Sequence, residues 1–214
     1  IGDGVFQDKK TITGVNIPEG IKSIGKYALA GTGITSLKLP SSLTAIGAKM
    51  LSQNKGVTEI IIPKNVIEST NTYWGGPFEG SNISKVVLEE GMKKIPSEMF
   101  RNMDKLTQVD IPDSITAIGG SAFKSCSALT NINIPDAITS IEESTFCECS
   151  SLKEINIPDN VTSIGKYAFA KTNIKTLKLP AQLTEIGAKV LSENKEVTEI
   201  IVPKTVIKAI DTFW

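Results

Sequence analysis

The sequence predicts a β-rich solenoid, a linear stack of about nine short repeats in which each repeat touches only its neighbours. The first observation behind this is a recurring heptapeptide. It reads apolar, polar, polar, apolar, polar, apolar, proline, most clearly in Leu129-Thr130-Asn131-Ile132-Asn133-Ile134-Pro135, and its proline returns at Pro18, Pro40, Pro63, Pro112, Pro135, Pro158, Pro180 and Pro203. A ninth copy, Ile83-Ser84-Lys85-Val86-Val87-Leu88, carries Glu89 in the proline position. The second observation is the spacing of these anchors, 22, 23, 26, 23, 23, 23, 22 and 23 residues, a period that belongs to stacked coils. The third is a larger duplication. Residues 21–74 align without a gap on residues 161–214, an offset of 140, so a block of about six repeats has been copied.

Each element of the unit follows from its residue types. The segment before the proline alternates and is rich in Ile, Val and Leu, which predicts a strand. Proline ends it, because proline has no N–H for a ladder and fixes φ. Stacked at about 4.8 Å, nine such strands would form a parallel sheet roughly 40 Å long. The next piece, as in Val161-Thr162-Ser163-Ile164-Gly165, predicts a second short strand or extended segment. Glycine closes it at Gly25, Gly47, Gly119, Gly165 and Gly187, which suits a sharp turn or a positive φ. After it comes an aromatic or leucine slot, filled by Phe6, Leu29, Leu51, Phe78, Phe100, Phe123, Phe146, Phe169 and Leu191. These residues predict a continuous internal spine, with Phe123, Phe146 and Phe169 stacked. The chain around the slot is too short for a stable α-helix and predicts a turn or one helical turn. In the longer units a further slot holds Lys9, Asn54, Met103, Cys126, Cys149 or Asn194, where a side chain can bond the backbone inside the turn.

Composition narrows the function. Lys plus Arg and Asp plus Glu both number 23, so the chain has no basic footprint for nucleic acid or an anionic membrane. Histidine is absent, which removes the commonest general base and metal ligand and rules out Ser-His and Cys-His pairs. No apolar run approaches the roughly 18 residues of a membrane span. Glu89-Glu90, Glu142-Glu143 and Glu148 are acidic neighbours without the shaped, oxygen-rich loop that calcium needs. No catalytic, cofactor or metal site is expected. Cys126 and Cys149 share a slot one repeat apart and predict buried free thiols, with a disulfide as the alternative. Cys147-Glu148-Cys149 is too short and isolated for zinc. The sequons at Asn82 and Asn160 each include a residue expected to point inward and read as chance.

Taken together, Leu129-Thr130-Asn131-Ile132-Asn133-Ile134-Pro135, Val161-Thr162-Ser163-Ile164-Gly165, Ala122-Phe123 and Cys126 resemble the repeat of the BspA-like leucine-rich repeat family. The resemblance covers essentially the whole chain, as one domain over residues 1–214. It implies a right-handed, curved leucine-rich-repeat solenoid with a parallel β-sheet on the concave face and short turns or helical turns on the other side. A straight parallel β-helix is the alternative. The chain departs from the pattern at Glu89, at Pro96 in the glycine slot, and in a lengthened loop from Val66 to Phe78. Beginning and ending inside a repeat, it reads as a fragment of a longer array. Members of the family are mostly secreted or surface-attached proteins of host-associated microbes, several linked to adhesion, and share no catalytic residues. The resemblance therefore implies an extracellular or cell-surface binding module for a protein or glycan on a host or another cell. A rigid spacer in a larger surface protein is the second reading, and an enzyme is disfavoured.

The candidate binding residues face outward. Two residues before each anchor the row reads Asn16, Lys38, Ile61, Val87, Asp110, Asn133, Asn156, Lys178 and Ile201. Ile61 and Val87 are adjacent apolar members between Lys38 and Asp110, which marks an interaction patch or reflects the strand preference of β-branched residues. The loop from Glu68 to Pro77, four residues longer than its sisters, carries Tyr73 and Trp74. They either join the patch as binding aromatics or fold back over the core. Ile201, Phe213 and Trp214 repeat Ile61, Tyr73 and Trp74 in the duplicated block.

Overall fold

The structure is a computed structural model and describes residues 1–70, 72–204 and 208–210. The chain runs β1 (Ser23–Ile24), β2 (Ala45–Gly47), β3 (Glu59–Ile62), β4 (Glu68–Thr70), a 3-10 helix (Thr72–Trp74), β5 (Lys85–Leu88) and β6 (Lys94–Ile95). It continues through β7 (Gln108–Asp110), β8 (Ala117–Ile118), β9 (Ser140–Ile141), β10 (Ser163–Ile164), β11 (Thr176–Lys178), β12 (Glu185–Gly187), β13 (Glu199–Ile201) and β14 (Lys208–Ile210). Every pairing is parallel and joins one coil to the next, as the repeat requires. Among the described residues there is no α-helix.

Two lines of strands run along the stack. The line before the anchors ladders in two blocks, β3-β5-β7 and β11-β13. At residues 14–17, 36–39, 131–134 and 154–157 the same sequence motif lies outside the strands, so the predicted nine-strand sheet is interrupted. The line after the anchors is the more persistent one. It runs β1-β2-β4, then β6-β8, then β9-β10-β12-β14.

Threonine in both motifs has a physical role that joins coils. In the Leu-Thr piece the Thr107 hydroxyl donates to the Ser84 carbonyl at 3.1 Å and that of Thr198 to Lys175 at 3.3 Å. In the Val-Thr piece Thr44, Thr116, Thr162 and Thr184 donate to the carbonyls of Lys22, Lys93, Thr139 and Thr162. Each hydroxyl hooks onto the preceding coil, so the hydrogen-bond lines continue at the strand ends.

The aromatic corner is a third line of hydrogen bonds rather than a helical turn. Ser121, Phe123 and Ser125 donate their N–H groups to Glu143, Thr145 and Cys147 of the next coil, at 2.9, 3.0 and 2.7 Å. Between these, Ala122 and Lys124 bond locally to Gly119 and Ser121. Alternate amides thus point along the stack, which a helix forbids. The corner achieves this with left-handed residues such as Ser121, Ser125, Ser144 and Glu148, whose φ values are 55°, 60°, 56° and 66°. Each such residue costs roughly 1–2 kcal/mol, offset by the bond its corner makes to the next coil.

Glycine in the Gly165 slot is needed for a reason other than the expected positive φ. Among the positive-φ glycines none belongs to this slot. A Cβ at Gly165 would lie 2.5 Å from the Glu143 backbone nitrogen, inside the preceding coil, and the other four glycines meet the coil before them in the same way. Close approach of two backbones is what excludes a side chain.

The core is a single column. In β3 Ile60 and Ile62 are buried while Glu59 and Ile61 face out. Phe78, Phe100, Phe123, Phe146 and Phe169 are fully buried and stack at centroid separations of 6.3, 5.3, 5.6 and 5.8 Å. Leu29 and Leu51 extend the spine and are also fully buried.

Candidate functional site

The outward row before the anchors is the first candidate. Ile61 pairs in register with Val87, and Val87 with Asp110. Ile61 is 57% exposed and Val87 half-buried. On the preceding coil the exposed Lys38 lines, with Ile61, Leu37 and Pro63, a groove of about 390 Å³. Lys38, Ile61, Val87 and Asp110 are therefore successive members of one face. Charged groups flank the apolar pair. Lys85 and Glu59 form an ion pair at 3.0 Å, and Gln108 Nε2 donates to Asp110 Oδ1 at 2.8 Å. The hydrogen bond that Lys85 donates to Glu59, then the charge of that carboxylate, holds the Lys85 ammonium above its ordinary range.

Tyr73 belongs to a different element. It lies in the 3-10 helix that follows β4 in the other strand line and is 89% exposed. Beyond it Gly75 turns with a φ of 118°, and Gly76 and Pro77 accept N–H bonds from Lys49 and Leu51 at the aromatic corner. The Lys49–Glu79 ion pair at 3.2 Å and an Asn102–Glu79 hydrogen bond at 2.8 Å brace the return. The Trp74 side chain lies outside the described residues, as do Phe213 and Trp214. In the duplicated block Lys178 pairs in register with Ile201, repeating Lys38 and Ile61, and Ile201 is 46% exposed.

The cysteine and asparagine slot is structural. All three cysteines are free and buried. The Cys126 and Cys149 thiols donate to the Phe100 and Phe123 carbonyls of the preceding coil, both at 3.1 Å. Burial pushes the Cys149 thiol up to about 12 and raises Cys126 as well, so both stay protonated and unreactive at neutral pH. Units without this residue close the turn differently, a substitution that the strand pattern does not reveal. Thr32, Ser81 and Thr172 donate their hydroxyls to the carbonyl of the spine residue three before, at 2.8, 2.7 and 2.8 Å.

The acidic neighbours are engaged with the coil. Glu142 accepts from Ser140 at 2.6 Å, and Glu148 accepts from Ser125 at 2.7 Å. The Ser125 bond is the main cause that holds the Glu148 carboxyl below its ordinary range. Among the described residues no cluster of three or more His, Cys, Asp or Glu could hold a metal ion, and no helix is long and apolar enough to cross a membrane.

A repeat scaffold of stacked coils is what this geometry defines, and the comparisons agree. The model of the BspA type leucine-rich repeat region matches residues 1–74 and 75–198 with 6 copies. The chain belongs to this family of leucine-rich repeat proteins. A leucine-rich cell surface protein of Faecalibacterium prausnitzii is 29% identical with a TM-score of 0.62 over 74% of this chain, which spans 42% of that one. The T. pallidum leucine-rich repeat protein is 22% identical, TM-score 0.59, over 69% of this chain and 71% of its own. A leucine-rich repeat protein of Eubacterium ventriosum is 23% identical, TM-score 0.54, over 94% of this chain and 63% of its own. None of the curated proteins matches the chain.

Proposed function

We propose that this chain is a non-catalytic binding module of a secreted or cell-surface protein, engaging a protein or glycan on a host or another cell. The observation that carries the reading is the register of Ile61 beside Val87 on an otherwise mostly polar outward row. An apolar centre rimmed by Lys38 and Asp110 has the composition of an interface. Tyr73, exposed on the other strand line, and Trp74 beside it in sequence are proposed as a separate aromatic contact of the same module. The description of the Faecalibacterium prausnitzii relative as a cell surface protein supports the location.

Beads coated with the chain should adhere to host-cell monolayers. Ile61→Lys with Val87→Lys and Trp74→Ala should reduce adhesion about tenfold or more, the weight of one or two lost hot-spot contacts. Equal adhesion by a folded variant would remove the patch from the account. The rigid-spacer reading rests on a different observation, the three hydrogen-bond lines that run along the stack. It predicts that neither the wild-type chain nor the variant adheres.

A further inference from the structure

We propose a second docking groove, on the other side of the Pro63 turn, for an extended acidic peptide segment of a partner protein. It goes beyond the adhesive patch and lies in the other strand line. There the ladder is interrupted between β4 and β6, where the long loop enters, and again between β8 and β9. β4 is the last strand of one sheet and β6 the first of the next, so two strand edges face each other unpaired. The Ser69 hydroxyl donates to the Ser97 carbonyl and pins the gap at one end. At the other end a groove of about 740 Å³ opens beside Ile67.

The lining has one sign of charge. Lys22, Lys64, Lys93 and Lys94 surround Ile67, and no Asp or Glu lines the groove. All four lysines are exposed. None has an ion-pair partner among the described residues. Unpaired like charges on an electrically neutral chain attract an anionic partner. Ile67 is 65% exposed, in a slot that its sister coils fill with Thr44, Thr116, Thr139, Thr162 and Thr184, with Lys22 and Lys93, or, in the duplicated block, with Ile207. An apolar side chain among lysines, beside two open strand edges, fits a peptide. Main-chain hydrogen bonds would be made to an edge, carboxylates would meet the lysines, and one apolar side chain would cover Ile67. An anionic glycan would use the lysines and leave both the edges and Ile67 idle.

The probe is a fluorescein-labelled ten-residue peptide of alternating glutamate and valine, titrated against the chain at low salt and read by anisotropy. Lys93→Glu with Lys94→Glu should weaken binding about tenfold or more, since each reversal replaces an attraction with a repulsion. Ile67→Thr, which installs the residue of the sister coils, should weaken it about threefold or more through lost apolar contact. Lys153→Glu, elsewhere on the surface, should leave it unchanged. Saturable binding with this pattern supports the groove. Polyglutamate or heparin competing as well as the unlabelled peptide, with no effect of Ile67→Thr, would reduce the site to bare charge and overturn it. No binding by the wild-type chain, together with self-association of the lysine variant, would also overturn it, because the lysines would then serve to guard the strand edges.

Discussion

Phe123→Ala should lower stability by about 4 kcal/mol and the unfolding midpoint by roughly 10 °C. The ring is fully buried between Phe100 at 5.3 Å and Phe146 at 5.6 Å, so its removal opens a cavity in the middle of the spine. The backbone around it cannot collapse inward, because the Phe123 N–H is tied to the Thr145 carbonyl at 3.0 Å. In a linear array the damage also cuts the contact between two halves. Chemical unfolding of the variant should therefore broaden or split into two transitions. Phe123→Leu, which copies the residue that Leu29 and Leu51 supply in the same slot, should cost about 1 kcal/mol and keep one transition. Equal losses for both variants would mean that ring packing is not what holds the spine.

Asn54→Leu should be nearly as damaging, at about 4 kcal/mol, although leucine branches at the same atom. Asn54 is fully buried and satisfies four backbone groups. Its Nδ2 donates to the Thr32 and Ile34 carbonyls at 2.9 and 3.0 Å, and its Oδ1 accepts from the Gly56 and Val57 amides at 3.2 and 2.9 Å. Leucine leaves all four without that partner inside the coil. Asn54→Cys should cost about half as much, because a thiol in this slot reaches one carbonyl of the preceding coil, as Cys126 and Cys149 do. Thermal unfolding of both variants checks the ranking. Leucine tolerated better than cysteine would contradict the hydrogen-bonding role.

These two residues also mark what the sequence makes legible. The spine and the asparagine-cysteine slot are readable because they recur in register, so periodicity alone picks them out. Gly165 is different. Its recurrence is visible, but its cause is the distance from its Cβ position to Glu143 in another coil, which no local propensity encodes. The aromatic corner was open between turn and helix, since the choice depends on whether alternate amides bond within the coil or along the stack. Ile61 and Val87 stand out because they break a polar row, and their pairing follows from the repeat count. The gap between β4 and β6 does not stand out. The added residues near Tyr73 announce an insertion, yet nothing local says that it unpairs one strand line while β3 and β5 stay paired in the other.

The measurement that bears most directly on the binding account is site-specific photo-crosslinking on living host cells. A photoreactive amino acid placed at Ile61 should capture a discrete cell-surface partner, and the same group at Thr162, exposed on the other strand line of a distant coil, should capture none. Capture at Ile61 that is competed by the unmodified chain is the result the account predicts. Equal capture at both positions, or none at Ile61 while the coated beads still adhere, would contradict it.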